Sequence, residues 1–450
     1  MADRLNVDRL NVDRPNVDRP SVDRPSVDRL SAARAEACDH YAAKRPRSQA
    51  LADRAAKVLP GGNTRSVLHI DPFAFRVVGA DGAVLHDADG FDYVDLLGDY
   101  SAGLLGRRDV VAETIRSVLD RGWSYGAMSE PETVFAEAVV ARYPSIEQVR
   151  FTNSGTEANV MALMTARHAT SRGKVVVFDH GYHGGPLYFG EAGAPLRIPF
   201  DYLVLPYNDL PAVATAFDEH EHEIAAVLVE PMQGSGGCIP GDPLFLAGLR
   251  ELTERDGAVL IFDEVMTSRL AVGGAQSVLG MTPDMTTLGK YLGGGLSFGA
   301  FGGRADLMGT FDPARGGLSH AGTFNNNAFT MAVGAVVASE LTDADALAAV
   351  NDRGDRLRAG LQARFDASSL PFCVTGWGSL LCVHPVASPA EIHVADPRWR
   401  DLFFHDALDA GFYVAPRGMI ALSMAVTDDD TGAFLDVVEQ FCSRRAELLR

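Results

Sequence analysis

Four apolar runs constrain this chain more than anything else in it: QVRFT (148–152), KVVVF (174–178), AAVLVE (225–230) and AVLIFDE (258–264). They are rich in β-branched residues and lack the strict alternation of a strand with one wet face. Each therefore suits a parallel sheet buried on both sides. A loop and a helical stretch follow each run, the order of a doubly wound α/β domain. Upstream, about Leu30 to Leu59 reads as helical and stops at Pro60-Gly61-Gly62. Short strand-like pieces come next, punctuated by the turn dipeptides Asp81-Gly82 and Asp89-Gly90. From about Gly334 a long helical stretch runs to Phe365, and the remainder mixes short strands and helices as a smaller α+β domain would. A length of 450 residues allows two or three domains, and no low-complexity linker separates these parts.

The N-terminus is different. From Asp3 to Ala32 a five-residue unit occurs six times, from DRLNV to DRLSA. A period of five matches neither the strand nor the helix repeat, so no face is continuously apolar. Pro15, Pro20 and Pro25 remove backbone donors and push the preceding residues out of the α region. Residues 1–32 are expected to form a disordered tail. The segment lacks the charged-then-apolar pattern of a secretory signal, and no apolar run of 18 residues follows that could span a membrane. The formal charge is −19. Its sign argues against nucleic acid or an anionic membrane as partner, since neutralising phosphates requires clustered Lys and Arg. The five cysteines are scattered with no C-x-x-C pair, which points to no metal cage, no disulfide framework and a reduced cytoplasmic setting.

Three chemistry-bearing motifs sit at or just after the predicted strands, and two more lie further along the chain. FTNSGTEAN (151–159) follows one strand and opens a helix, whose first N–H groups are unpaired and partly positive. Ser154, Gly155 and Thr156 thus offer main-chain donors and hydroxyls to an anion, most naturally a phosphate. The same residues also read as an ordinary helix N-cap. In AVLIFDEV (258–265), Asp263 lies at the carboxyl end of a buried strand, where open α/β sheets place ligands. A buried carboxylate needs a cation or donors, and the protonated ring nitrogen of pyridoxal phosphate is one such cation. In TTLGKYLGGG (286–295), Lys290 lies between apolar residues and glycines; it reads either as an ordinary surface lysine or as the desolvated lysine that Schiff-base chemistry needs. DHGYHGG (179–185) places Tyr182 and His183 on a glycine-flexible loop, where an aromatic face could stack on a ring. HAGTFNNN (320–327) offers Thr323 to a phosphate oxygen, or is a polar turn. Singly each motif is weak. Phosphate loop, strand-end Asp and later Lys, in that order, are far more specific.

Together these residues resemble the class III aminotransferases of fold-type I, which use pyridoxal 5′-phosphate; the resemblance runs from about Leu59 to Ser423. Within the class, NSGTEAN, GYHGG, VEPMQG, DEVMTSRLA, LGKYLGGG, FGAFGGRAD, GTFNNN and APRG look like β-amino-acid (β-phenylalanine) aminotransferases. More distantly, DEVMTS, GAFGGR and PGGNTRSV look like glutamate-1-semialdehyde aminomutases. The resemblance implies a large doubly wound mixed-sheet domain of seven strands and a small α+β domain built from both chain ends. The expected division is 33–100 (part of the small domain), 101–333 (the large cofactor-binding domain) and 334–450 (the C-terminal small domain).

The resemblance also implies roles. Lys290 would form the Schiff base with the cofactor and move the proton during catalysis. Asp263 would pair with the pyridinium nitrogen, and Ser154, Gly155 and Thr156 would bind the phosphate. Thr323 would reach that phosphate from a second subunit of a homodimer. Tyr182 would cover one face of the ring and Val265 the other. Arg65 would take the carboxylate of a β-amino acid, and Arg417 the α-carboxylate of a 2-oxo-acid acceptor. A guanidinium forks onto a carboxylate bidentately, which Lys cannot do. The implied activity moves the amino group of an aryl β-amino acid to 2-oxoglutarate or pyruvate. Two departures bear on the rivals. Ornithine- and GABA-type members carry Glu where this chain has Ser235, and Gln where it has Met266. Aminomutases usually follow the equivalent of Thr323 with Gly-Asn-Pro, where this chain has FNNN. An aminomutase, a racemase of the same fold and a catalytically silent relative remain the alternatives.

Overall fold

A computed structural model describes residues 25–315 and 317–449. Residues 1–24 of the pentad repeat lie outside the described residues. Pro25 to Ala32, expected in the tail, instead open the first helix, Pro25–Lys44. Proline is tolerated in a first helical turn, where its missing N–H is no loss, and Leu30 and Ala33 are buried. The helix packs on Pro397–Asp409, with Arg34 Nε donating to Asp401 at 2.5 Å and Arg398 Nη1 to Ser31 Oγ at 2.8 Å. The single helical stretch expected to Leu59 breaks at Arg45, because Pro46 must start a new helix, Pro46–Ala56.

The large domain is built on a seven-stranded sheet. In chain order its strands are β1 (Gln148–Thr152), β2 (Lys174–Phe178), β3 (Asp201–Leu205), β4 (Ile224–Val229), β5 (Val259–Asp263), β6 (Met285–Gly289) and β7 (Gly299–Gly303). Across the sheet they run β1-β7-β6-β5-β4-β2-β3, with β7 antiparallel to both neighbours and the other pairs parallel. The four strands that opened the sequence reading are all present. Alternate residues of the last three supply two separate cores, while Phe151 of β1 packs in a third with Phe135 and Phe298. Val175, Val177, Leu228 and Ile261 pack with Ala158, Ala162 and Leu163 of the helix Gly155–Thr170. Val176, Phe178, Val229 and Phe262 pack with Phe217, Phe245 and Leu249 on the opposite face. Burial of both faces is what removed the alternation from the sequence.

Strand β7, GAFGG, carries no β-branched residue. Its glycines answer close approach: a Cβ on Gly299 would collide with the Ser154 carbonyl. Register places Gly299 opposite Thr152 on one side and Gly289 on the other, while Asp263 pairs with Thr287. The ends of β1, β5 and β6 are thereby brought level.

The small domain uses both chain ends. Val77–Asp81, Val84–Asp87 and Asp92–Asp95 form an antiparallel meander, and Phe412–Tyr413 joins its edge in parallel, with Phe412 opposite Val94. A second sheet pairs Cys373–Trp377, Leu380–His384 and Met419–Ala421, flanked by Ala344–Asp366 and Asp428–Arg445. The helical stretch expected from Gly334 to Phe365 is interrupted. Ala328–Val336 passes into a π turn at Val337–Leu341, and Asp343 caps a new helix through Ala346 N. No helix of the described residues is long and apolar enough to cross a membrane.

Candidate active site

The predicted motifs converge at the carboxyl edge of the large sheet, the side where open α/β sheets bind ligands. Ser154 follows β1 as the N-cap of Gly155–Thr170, its Oγ accepting from Glu157 N at 3.2 Å. The capping reading therefore describes the Ser154 side chain. The amides of Gly155 and Thr156 find no acceptor among the described residues, so two donors at the positive end of a four-turn helix stay free for an anion. Gly155 lies against Val265: a Cβ there would fall 2.7 Å from Cγ2 and 3.0 Å from Cγ1. Val265 also borders Gly289, the residue before Lys290. Phosphate loop, strand-end turn and lysine thus share one tight contact.

Asp263 is buried and fully engaged on its inner side. Oδ2 accepts from Asn159 Nδ2 at 2.8 Å and pairs with His183 Nδ1 at 2.7 Å, while Oδ1 accepts from Val265 N at 3.0 Å. Thr287 Oγ1 donates to Asn159 Oδ1 at 2.7 Å, which orients the amide. A carboxylate so held is a fixed anion in a dry place, as a protonated ring nitrogen requires.

Lys290 follows β6 in the left-handed region, φ 54°. A non-glycine residue in that conformation marks a constrained site. Burial lowers its amine from 10.5 to about 8, while the negative charges of Asp263 and Glu230 oppose the fall and Arg417 adds to it. No hydrogen bond or ion pair occupies its Nζ among the described residues. Near neutral pH such an amine supplies a sizeable unprotonated, nucleophilic fraction.

Tyr182 lies on the loop after β2 with its ring partly exposed and edge-on to Tyr188 at 5.6 Å. Gly184 in the same loop, φ 112°, packs so closely on Thr156 that a Cβ would strike the threonine hydroxyl. Spacing gave no hint of Glu230, which follows β4. Its Oε1 accepts from Tyr182 N and its Oε2 from Gly234 N, each at 2.9 Å, and burial pushes its carboxyl up.

The two arginines share a neighbour. Arg65 is half-exposed, with Nη1 2.7 Å from Asp99 Oδ1. Arg417 donates from Nη1 to Ser235 Oγ at 2.9 Å, and its buried Nε has no partner among the described residues. Their guanidinium carbons lie 5.8 and 5.2 Å from the ring centroid of one residue, Tyr100. Neither Tyr100 nor Asp99 was legible as a site residue; each is a lone side chain in a loop. Thr323 is exposed and bonds to none of the other candidate residues, although Asn325, two positions on, accepts from Asn153 Nδ2 at 2.9 Å.

Free amides at a helix N-terminus, a donor-held buried carboxylate and an unpartnered lysine of lowered basicity make up the donor set that pyridoxal phosphate needs for its phosphate, ring nitrogen and carbonyl. The chain belongs to the class III aminotransferases: the family model for "Aminotransferase class-III" matches residues 68–189 and 196–441. Its fold is that of the fold-type I enzymes and its cofactor is pyridoxal 5′-phosphate. Among characterised relatives, the β-phenylalanine transaminase of Variovorax paradoxus is 45% identical over 424 residues, covering 92% of this chain and 97% of that protein. A glutamate-1-semialdehyde 2,1-aminomutase of Nitratidesulfovibrio vulgaris is 41% identical over 417 residues, covering 87% and 97%. The crystal structure of a β-phenylalanine aminotransferase from Variovorax paradoxus superposes with a TM-score of 0.91 at 44% identity, covering 93% of this chain and 99% of that one.

Proposed function

We propose that this aminotransferase takes the amino group from a β-amino acid, preferably an aryl one such as β-phenylalanine, and passes it to 2-oxoglutarate or pyruvate. The observation that carries the reading is the Arg65–Arg417 pair around Tyr100, because Arg417 leans on the neutral Ser235 and not on a carboxylate. With Glu at position 235 the guanidinium would be neutralised by its own chain. With Ser it keeps its charge and an unpartnered Nε for a substrate carboxylate.

Each residue then has a task. Ser154, Gly155 and Thr156 would hold the cofactor's phosphate, Asp263 would pair with its ring nitrogen, and Tyr182 and Val265 would enclose the ring. Bound there, the cofactor would supply a carbonyl for the donor's amine and an electron sink for the pair left when a proton departs. Lys290 Nζ removes that proton from the amine-bearing carbon, and an amine near pKa 8 can both accept and return it. Arg65 fixes the donor's carboxylate and Arg417 the acceptor's. Donor and acceptor exchange an amino group and hydrogen for an oxo oxygen, giving a β-keto acid and an α-amino acid.

The enzyme works as a homodimer, with Thr323 completing the partner's phosphate site. Trp123, Tyr125 and Met128 are exposed on one short stretch of chain and Phe324 is exposed beside Thr323, and the Trp123 ring lies 5.8 Å from that of Phe329, tilted by 39°. Such a patch is larger than solitary surface apolar residues explain. Five free cysteines accord with a cytoplasmic location.

The test is a pair of substitutions. Arg65→Ala should raise KM for the β-amino acid more than for the 2-oxo acid, and Arg417→Ala the reverse. The larger effect should be tenfold or more, on the order of 2 kcal/mol for one lost charged partner. Equal losses on both substrates would remove the assignment. An aminomutase would convert glutamate-1-semialdehyde without an added acceptor, and this enzyme should not.

A further inference from the structure

Four successive residues, Gly98, Asp99, Tyr100 and Ser101, adopt φ values of 52°, 47°, 55° and 76°. Three of them are not glycine, and such residues rarely enter the left-handed region even singly. Strain of this kind persists only where the surroundings enforce it, and it gathers at sites that use it. The enforcement is visible. Asp95 Oδ1 accepts from Leu97 N at 3.1 Å and from Gly98 N at 2.9 Å, and Gly103 N donates to Gly98 O at 2.7 Å. Ala421 N donates to Leu96 O at 2.8 Å, tying the turn to the strand that follows Arg417. On its other side, Tyr100 donates its hydroxyl to Val67 O at 2.8 Å, in the loop that carries Arg65. The turn therefore presents one ring to two cations and anchors it to the segments bearing both.

We propose that Tyr100 is a positioning residue shared by the two carboxylate-binding arginines, so that the donor and acceptor subsites are coupled through a single ring. The inference rests on the reading of Arg65 and Arg417 given above and extends it to a residue that touches neither carboxylate. The electron-rich face of a phenol attracts a guanidinium. Among the described residues each arginine has one other side-chain anchor of oxygen chemistry, Asp99 for Arg65 and Ser235 for Arg417. The ring fixes where the rest of each fork points. Moving either arginine also shifts what the ring offers the other.

Three variants of the full-length holoenzyme test this. Tyr100→Leu removes the π face at similar bulk and should raise KM for β-phenylalanine and for 2-oxoglutarate about three- to tenfold, between the exposed and desolvated limits of a cation–π contact, with kcat changed less than twofold. Tyr100→Phe keeps the face and loses only the hydroxyl. It should restore the 2-oxoglutarate KM to within twofold of wild type, leaving a smaller defect on the donor side, where Val67 O has lost its partner. In a double-variant cycle, Arg65→Ala should shift the 2-oxoglutarate KM more than twofold with Tyr100 present and not in the Tyr100→Leu background. A merely structural turn residue would instead lower kcat and cofactor occupancy, with no rescue by Phe and no loss of coupling.

Calorimetry with 3-phenylpropionate, which has the donor's carboxylate and no amine, and with 2-oxoglutarate separates the layers of the argument. If Arg65→Ala and Arg417→Ala leave both Kd values unchanged, the arginine assignment falls and this proposal with it. If the arginine variants weaken binding while Tyr100→Leu leaves both Kd values within twofold, the Tyr100 proposal alone is overturned.

Discussion

The contact of Gly155 with Val265 turns the convergence of three motifs into a measurable quantity. In Gly155→Ala the new methyl would lie 2.7 Å from Val265 Cγ2 and 3.0 Å from Cγ1, against roughly 3.5–4.0 Å for relaxed carbon pairs. Valine cannot swing clear easily, because its branched Cβ leaves few allowed rotamers. Gly289, the residue before Lys290, faces the same valine: a Cβ there would lie 3.2 Å from Cγ1, so only the absence of a side chain at Gly289 leaves that flank of Val265 open. Overpacking of this kind costs about 1–3 kcal/mol. Expressed wholly in cofactor binding, that is roughly a 5- to 150-fold rise in Kd. The assay is titration of the apoenzyme with pyridoxal phosphate, followed by absorbance, for wild type, Gly155→Ala, Val265→Ala and Gly155→Ala/Val265→Ala. Val265→Ala removes both clashing atoms together with part of the ring's cover, so the informative quantity is the cost of Gly155→Ala in each background, which should be several-fold smaller in the Val265→Ala background than beside Val265. If Gly155→Ala binds within twofold of wild type, or if it costs as much in the Val265→Ala background, the shared-contact argument is wrong.

Other consequences can be checked as directly. The Lys290 amine, lowered from 10.5 to about 8 by burial, should make the rate of cofactor uptake by the apoenzyme rise with pH around a midpoint near 8; a flat profile from pH 6.5 to 9 would contradict it. The same shift sets a sign for stability: between about pH 8 and 10.5 the unfolded chain binds more protons at this group, so its contribution to apoenzyme stability should increase with pH there. His183→Leu removes a donor from the buried Asp263 carboxylate and should cost about 1–3 kcal/mol, seen as a lower Tm and weaker cofactor binding. Compared with a chain starting at Pro25, one starting at Ala33 loses buried Leu30 and the Ser31–Arg398 bond and should melt several degrees lower.

How much of this was legible in the sequence depended on where the information sits. The buried strands announced themselves because two-sided burial demands unbroken β-branched runs. Ser154 and Asp263 stood out because one follows and the other ends such a strand, whereas Lys290 stood out by its glycines and its place after both; the strand that carries it, Met285–Gly289, was not among the four runs. Strand β7 was hidden: its glycines serve close approach to Ser154 and its neighbours, and glycine reads as a loop. The start of the first helix was hidden by Pro25, which breaks helices everywhere except in a first turn. Pro46 carried the opposite signal, and its break within Leu30–Leu59 went unread. Asn159, Glu230, Asp99 and Tyr100 act through partners far away in the chain, and no spacing rule points to a buried amide that orients a distant carboxylate. Arg65 and Arg417 became informative only once Tyr100 was seen between them and Ser235 beside one of them.

The central claim is that Lys290 and its pyridoxal phosphate take amino groups from β-amino acids. Its most direct measurement is a single half-reaction: purified holoenzyme mixed with β-phenylalanine, each enantiomer separately, with no acceptor present. The expected result is bleaching of the visible cofactor band, with one β-keto acid released per active site, and return of the band on adding 2-oxoglutarate. An unchanged spectrum with both enantiomers, in a protein whose band does respond to another amine, would contradict the account.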